Sequence, residues 1–303
     1  MNLSDLKAFV ALAEMGSINR AALRLGLTQP ATTRRLQNFE ASVGGAPLLD
    51  RSVKPPVLTP AGRQALAHCR RVLNAVADLE ACASDGHEPS GDLRIGVSPG
   101  LAETVLSSPL DELRRRFRNL QLLVTSQWTT PLISAVGNGE LDCAIVLLID
   151  HRKLPAGIVG TSIGIEALSV VGARDVNYPT PKRSHLRLDD VSQYGWVLNP
   201  AGCGYREALL RACDRAKASC KIIADVLGYD LQLSLIVRGA GLGLIPRKLI
   251  DKSPLRKRLR VLKVADFAPE ARILMLRSAS LGRLNRAVDF LQERVASAPK
   301  DVA

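Results

Sequence analysis

The stretch Gly16-Ser17-Ile18-Asn19-Arg20-Ala21-Ala22-Leu23-Arg24-Leu25-Gly26-Leu27-Thr28-Gln29-Pro30 decides the fold of the N-terminal third of this 303-residue chain. Two short helical patterns flank Gly26-Leu27-Thr28, and the second continues to about Val43. Ser17 suits an N-cap, Ala21, Ala22 and Leu25 form a small apolar face, and Gly26 stands where a left-handed residue ends a helix. Thr28 suits the cap of the next helix, whose first turn tolerates Pro30 because backbone donors there are unpaired anyway. Upstream, Leu3, Leu6, Phe9, Val10 and Ala13 repeat at helical spacing and supply a third helix to close a small core. So tight a turn makes the two helices cross steeply and presents the start of the second outward. That is the geometry of a helix-turn-helix, which enters the DNA major groove by the N-terminal end of its second helix. The candidate DNA-facing residues are Thr28, Gln29, Pro30, Thr32, Thr33, Arg34 and Arg35. Glutamine pairs bidentately with adenine, a threonine methyl meets thymine, and arginine reaches guanine or phosphate. A plain packed hairpin of helices is the alternative, and it has no use for threonines and arginines on an exposed opening turn.

Leu48-Leu49-Asp50-Arg51 and Val57-Leu58 then read as two short strands around Ser52-Val53-Lys54-Pro55-Pro56, a wing stiffened at its tip by two prolines. Arg51 and Lys54 are placed there to meet phosphates or the minor groove, with a solvated loop as the alternative for Lys54. Thr59-Pro60 is a cap followed by a proline at the first helical position. Leu66, Cys69, Val72, Leu73, Val76 and Leu79 follow every three or four residues until Ser84-Asp85-Gly86. About 25 residues at 1.5 Å rise make a rod of roughly 37 Å, and its apolar stripe needs a partner, either its own domain or a second copy. Gly86 to Gly91, with Pro89 and Ser90, reads as a hinge.

Charge favours an anionic partner, with 41 basic against 29 acidic residues. Residues 1–90 hold only 10 basic and 8 acidic side chains, although residues 16–71 alone hold 9 and 2. Most of the excess lies in Arg114-Arg115-Arg116-Phe117-Arg118 and from Arg247 to Lys263, runs that ordinarily form solvated faces. No N-terminal signal pattern and no long apolar run is present, so the expectation is a cytoplasmic protein with no membrane partner. The six cysteines (69, 82, 143, 203, 213 and 220) form no Cys-x-x-Cys pair and have no histidines at zinc spacing, which points to neither a metal site nor a disulfide framework. Aromatic residues number only 11, too few for stacking recognition of single strands or RNA.

From Leu93 onward strand and helix patterns alternate. Strands are expected at Leu93–Val97, Gln121–Thr125 and Cys143–Leu148, with helices at Ala102–Phe117 and Pro131–Gly137 between them. A second run begins near Gly157–Val171. It continues through Trp196–Leu198, a helix after Cys203, Lys221–Ala224 and a helix over Asp225–Arg238, and a last strand and helix fall at Arg272–Leu276 and Arg283–Val295. This alternation predicts a mainly parallel sheet with helices on both faces. Gly239, Gly241 and Gly243 follow a helix and lack dinucleotide-loop spacing, so they read as a tight turn. No nucleophile elbow, zinc-protease motif or phosphate-cradling lysine loop appears, and no enzyme is expected. The rival from another class is a solute-binding or enzymatic α/β protein with an appended helical domain, which would need an export signal or a catalytic constellation.

The first 65 residues resemble the N-terminal domain of a LysR-type transcriptional regulator. The pattern runs through Leu6, Phe9, Gly16-Ser17, Ala21-Ala22-Leu23, Gln29-Pro30-Ala31, Glu40, Gly44, Leu48, Arg51, Leu58-Thr59 and Ala61-Gly62. Thr28 and Thr33 replace the usual serines, Phe39 a leucine and Leu49 a phenylalanine, which keeps the hydroxyl or apolar character. Gly139-Glu140-Leu141-Asp142-Cys143-Ala144-Ile145 and Gly239–Pro246 resemble the family's effector domain, similar to periplasmic binding proteins. The resemblance implies an all-α winged helix-turn-helix over 1–60, a linker and dimerisation helix over 60–85, a hinge at 86–91, and a two-lobed α/β effector domain over 91–303. Lobe I would comprise about 91–160 and 267–303 and lobe II about 161–266, with crossover strands near 158–164 and 264–270. It also implies that Leu66, Cys69, Leu73 and Val76 pair two linker helices, giving a homodimer or tetramer on dyad-related half-sites. The implied partners are double-stranded DNA, a second copy of the chain, a small-molecule effector and RNA polymerase.

Ligands of open α/β sheets bind beyond the carboxyl ends of strands, near helix N-termini. Ser98-Pro99-Gly100, Thr129-Thr130 and Gly202-Cys203-Gly204-Tyr205 occupy such loops, and the resemblance puts them on the two walls of the inter-lobe cleft. Free backbone N–H groups there suit an anionic effector, while simple helix capping is the alternative for each hydroxyl. No cofactor is otherwise implied. Peroxide-sensing members of the family carry two cysteines in lobe II, which raises a thiol-based sensor built on Cys203 and Cys213. Three helical turns between them amount to about 15 Å, against a bridging limit of roughly 7 Å, so both read as buried and inert.

Overall fold

The computed structural model describes residues 1–82, 88–102, 107–149, 153–179, 185–279 and 281–297. The N-terminal domain is built from α1 (Leu3–Met15), α2 (Ile18–Leu25), α3 (Gln29–Ser42), β1 (Leu49–Asp50) and β2 (Val57–Leu58). Asn2 caps α1 through a 2.8 Å bond from Asp5 N–H, and Gly16 and Gly26 end α1 and α2 in left-handed conformation with φ of 61° and 64°. Ser17 has the extended backbone of a cap but makes no side-chain bond. Phe9 and Phe39 stack at 4.9 Å in a core with Leu6, Leu12, Ala21 and Leu36, and β1 and β2 pair antiparallel as the wing.

Helix α4 (Pro60–Cys82) starts at Thr59, whose hydroxyl accepts from Gly62 N–H and donates to Pro47 O. The expected helix residues 83–85 and the first two positions of the expected hinge lie outside the described residues.

The rest of the chain runs β3 (Gly91–Val97), α5 (Pro99–Ala102), α6 (Ser107–Arg116), β4 (Leu120–Ser126), α7 (Thr129–Gly137), β5 (Cys143–Leu148) and β6 (Ile158–Ala173). After these come α8 (Leu188–Val191), β7 (Trp196–Leu198), α9 (Gly204–Ala216), β8 (Ile222–Asp225), α10 (Tyr229–Ile236), β9 (Gly243–Pro246), α11 (Arg247–Lys252), β10 (Leu259–Leu262), β11 (Glu270–Ser278) and α12 (Asn285–Ser297). The first lobe's strands lie in the order β11-β5-β3-β4, with β3 parallel to both β4 and β5.

Strand β6 is 16 residues long and belongs to both lobes: its first part pairs with β11, and its last part pairs with β9 and β10. All four β5–β11, β6–β11, β6–β9 and β6–β10 pairings are antiparallel, which corrects the expectation of a mainly parallel sheet. The reason is that β6 and β11 run between the lobes in opposite directions. The second connection leaves lobe II after Val264 and enters β11 at Glu270, which joins the lobe I strand β5 from Arg272.

The two domains touch directly. A 3-10 turn at Gly282–Leu284 lies against α4, where a Cβ added to Gly282 would fall 2.9 Å from the backbone carbon of Ala77. Arg24 of α2 also reaches Asp92 of β3 at 3.5 Å.

Candidate functional site: reading helix and inter-lobe pocket

Thr28 caps α3 by accepting from Ala31 N–H at 3.4 Å. Gln29, Pro30 and Arg34 are exposed on the opening turns, and Thr33 and Arg35 are half-buried beside them. Thr32 departs from its expected DNA-facing role. It is fully buried and its hydroxyl donates to Thr28 O at 3.1 Å, because the fourth position after the cap faces the core. Arg51 forms a 2.6 Å ion pair with Glu40, whose other oxygen accepts from Leu48 and Leu49 N–H at 3.1 and 3.2 Å. Glu40 thus ties α3 to the wing, a job that the sequence pattern marked by position but not by role. Lys54 is exposed at the wing tip.

On α4 the apolar stripe divides. Leu66 and Cys69 are buried in the core of the chain's own winged domain, and Leu73 packs at its edge. That corrects the assignment of Leu66 and Cys69 to a subunit interface: α1 receives them. Val76 is half-buried, while Val72 and Leu79, omitted from the expected contact set, are the large apolar side chains left exposed.

Between the lobes, the carboxyl ends of β3 and β5 meet the N-termini of α7 and α9. Ser98 is buried, with its hydroxyl 3.4 Å from Thr129 Oγ1 and accepting from Leu147 N–H at 3.4 Å. Thr129 donates onward to Leu147 O at 2.8 Å. Neither Thr129 nor Thr130 caps α7, since Trp128 holds that position without a side-chain bond. Opposite, Cys203 is the N-cap residue of α9 and is 3% exposed. Burial pushes its thiol above the ordinary range, although Arg206 and Tyr205 N–H and the Asn199 side chain favour the charged form. Those helix N–H groups, expected to be free for an anion, lie near enough to favour a charged sulfur, although the thiol makes no capping hydrogen bond. Tyr205 is buried with its hydroxyl unpartnered among the described residues, and burial holds its pKa well above the ordinary phenol value.

Two glycines let the walls close. A Cβ on Gly100 would lie 3.1 Å from Tyr229 Oη, and one on Gly202, whose φ is 93°, would lie 3.2 Å from the Trp128 ring. What remains is a cavity of about 20 Å³ lined by Ser98, Pro99, Gly100, Thr129, Cys203, Gly204 and Tyr205, joined by Trp128, Leu147 and Tyr229. Thr130 and Gly202 open instead onto an adjoining cavity of similar size, shared with the Glu207–Arg211 pair. Of the residues missed, Trp128 and Tyr229 also stand at strand-to-helix junctions, a signal the sequence does carry. Leu147 enters only through tertiary packing.

Residues 3–63 match the model of the bacterial regulatory helix-turn-helix protein, lysR family, and residues 86–296 match that of the LysR substrate binding domain. The chain belongs to the LysR family of transcriptional regulators. A probable hydrogen peroxide-inducible genes activator of Mycobacterium avium is 28% identical over 285 residues, covering 93% of this chain and 89% of that protein. The DNA-binding transcriptional dual regulator OxyR of Escherichia coli K12 is 26% identical over 273 residues, with 90% and 87% covered. A full-length OxyR variant of Pseudomonas aeruginosa has the same fold, with a TM-score of 0.81 at 20% identity over 97% of this chain and 94% of that one. As a LysR-type regulator the chain binds DNA through its winged domain. Among the described residues no helix is long and apolar enough to cross a membrane.

Proposed function

We propose that this LysR-type regulator senses a molecule scarcely larger than water in its inter-lobe pocket, and that Cys203 is the group that responds. The observation that carries this is the size and lining of the pocket. About 20 Å³ exceeds the roughly 10–15 Å³ that one water needs, yet leaves no room for a metabolite. A thiol forms part of its wall, the Ser98 and Thr129 hydroxyls face it, and the similar proteins of M. avium and other bacteria are named as peroxide-inducible activators. The stimulus is then a small hydroperoxide. The Cys203 sulfur attacks one peroxide oxygen, the O–O bond breaks, and the products are a sulfenic acid and water (or the alcohol, from an organic hydroperoxide), with the thiol proton leaving on the departing oxygen. Because burial keeps the thiol protonated, Tyr205 and Arg206 N–H matter most as the groups that steady the thiolate in that step.

A larger hydrogen-bonding effector is the second reading, favoured by the unpartnered Tyr205 hydroxyl, and it requires the lobes to part. Mass spectrometry after graded hydrogen peroxide and a sulfenate-trapping dione separates the two. Adduct confined to Cys203 at stoichiometric peroxide supports sensing, and an unmodified Cys203 with oxidation elsewhere removes it. Under either reading the oligomer sits on dyad-related half-sites, and contact with RNA polymerase follows from activation at a promoter.

A further inference from the structure

Beyond residue 90 the chain carries 31 basic and 21 acidic side chains, so most of its positive charge lies outside the winged domain. The longest basic stretch, Arg247 to Lys263, has eight basic residues and one acidic. It folds as α11, a 3-10 turn at Arg256–Arg258, and β10, at the end of lobe II. The one acid, Asp251, is occupied by Arg247 at 2.8 Å and Arg256 at 3.2 Å.

Other arginines converge there from elsewhere in the chain. Arg174 N–H donates to Arg258 O at 2.8 Å, which sets exposed Arg174 against exposed Arg258. Arg258 reaches Val237 O at 3.5 Å, beside exposed Arg238. Arg260 is steadied over the Tyr178 ring at 5.9 Å. Lys257 completes the face. A run in the sequence explains a solvated strip, but not the arrival of Arg174 and Arg238 from two other segments.

We propose that this face of lobe II grips the phosphate backbone of duplex DNA flanking the site held by the reading helix. Four of its five cations are arginines, whose planar donors match phosphate oxygens in pairs. Among the described residues no exposed large apolar side chain belongs to these segments to anchor a protein partner. DNA already held by the winged domain is also the polyanion at highest local concentration. Strand β6 spans about 50 Å at ~3.3 Å per residue, so the face is remote from lobe I and its docked winged domain, and only flanking duplex comes within reach.

The test uses the full chain and fluorescence anisotropy across a salt series. One duplex is the shortest that keeps sequence-selective binding, drawn from a random pool, and the other adds random flanks of two helical turns on each side. Wild type should show a steeper salt slope on the longer duplex. The variant Arg174→Gln, Lys257→Gln, Arg258→Gln, Arg260→Gln should lose about three units of that slope and bind the longer duplex about ten-fold more weakly at moderate salt, with the short duplex unaffected. Lysine in place of the three arginines should retain most of the slope. Equal slopes for wild type on the two duplexes would overturn the proposal. So would equal effects of the variant on both, or intact flank binding with lost capture of an acidic protein such as RNA polymerase.

Discussion

Glu14 of α1 and Arg94 of β3 form an ion pair of 3.6 Å that joins the winged domain to lobe I. The same carboxylate holds Arg24 at 2.8 Å and Arg70 of α4 at 3.5 Å, so one anion serves three cations from two domains. Arg94 is anchored on its other side by Asp142 at 2.9 Å. Its strand ends next to Ser98, in the pocket wall. A shift of β3 at the pocket therefore acts on the contact that seats the DNA-reading domain.

Glu14→Gln should loosen this junction. Arg70 is 12% exposed and its Nε is already without a partner among the described residues, so losing the anion costs about 1–3 kcal/mol. Hydrogen exchange should quicken in α1 and the start of β3 while the α/β core keeps its protection. Unchanged exchange in both would mean that the pair does not hold the domains together.

At the reading helix, Gln29→Ala and Arg34→Ala should each weaken operator binding by about 1–3 kcal/mol if they touch bases. Thr32→Val should leave affinity near wild type and act on the melting temperature instead, since that hydroxyl is buried against Thr28 O. Anisotropy on operator and scrambled duplexes compares the three. A Thr32→Val variant with intact stability and lost operator preference would reverse the assignment.

Gly100→Ala places a methyl 3.1 Å from Tyr229 Oη, so that side chain, and with it the facing wall of the cleft, must give way by a few tenths of an ångström. Trp128, at the pocket rim, should become more accessible to acrylamide quenching than in wild type, and dione trapping at Cys203 should lose its selectivity for small peroxides over bulky ones. Identical quenching would show that the cleft accommodates the methyl without opening.

Glu166 on β6 is 3% exposed, and burial raises its pKa, with Lys248 at 4.0 Å opposing the rise. The folded state thus holds this proton more tightly than the unfolded chain. Its contribution is present below the ordinary carboxylate pKa and lost as pH climbs through the raised value. Glu166→Gln mimics the protonated form at every pH, so its gain in melting temperature should be larger at about pH 7.5 than at about pH 4.5. A gain independent of pH would exclude titration of Glu166 as its source.

Charging Val72 and Leu79 to glutamate should yield folded monomers by light scattering, because these are the exposed apolar positions of α4. Leu66→Glu should instead unfold the winged domain, whose core it fills. Dimers that survive the double change would move the subunit contact off this helix.

Local rules carried much of this fold into the sequence. Gly16, Gly26, Thr28 and Thr59 each end or start a helix by short-range bonding, and the reading helix was legible from them. The pocket loops were legible too, because Ser98, Thr129 and Cys203 follow strands or open helices. What escaped depends on contacts distant in sequence. Helical spacing cannot say whether Leu66 faces α1 or a second subunit, and alternation of strand and helix cannot reveal that β6 is shared antiparallel between lobes.

Gly282, packed on Ala77, makes α4 a lever with its fulcrum near one end. From Ala77 back to Pro60 the helix is about 26 Å long, so a tilt of about 5° at the fulcrum carries the winged domain roughly 2 Å. That is the difference between a hydrogen bond made and one broken at a base edge. Any side chain larger than hydrogen at position 282 would tilt the lever permanently, resetting the spacing between paired reading helices without touching DNA, pocket or thiol.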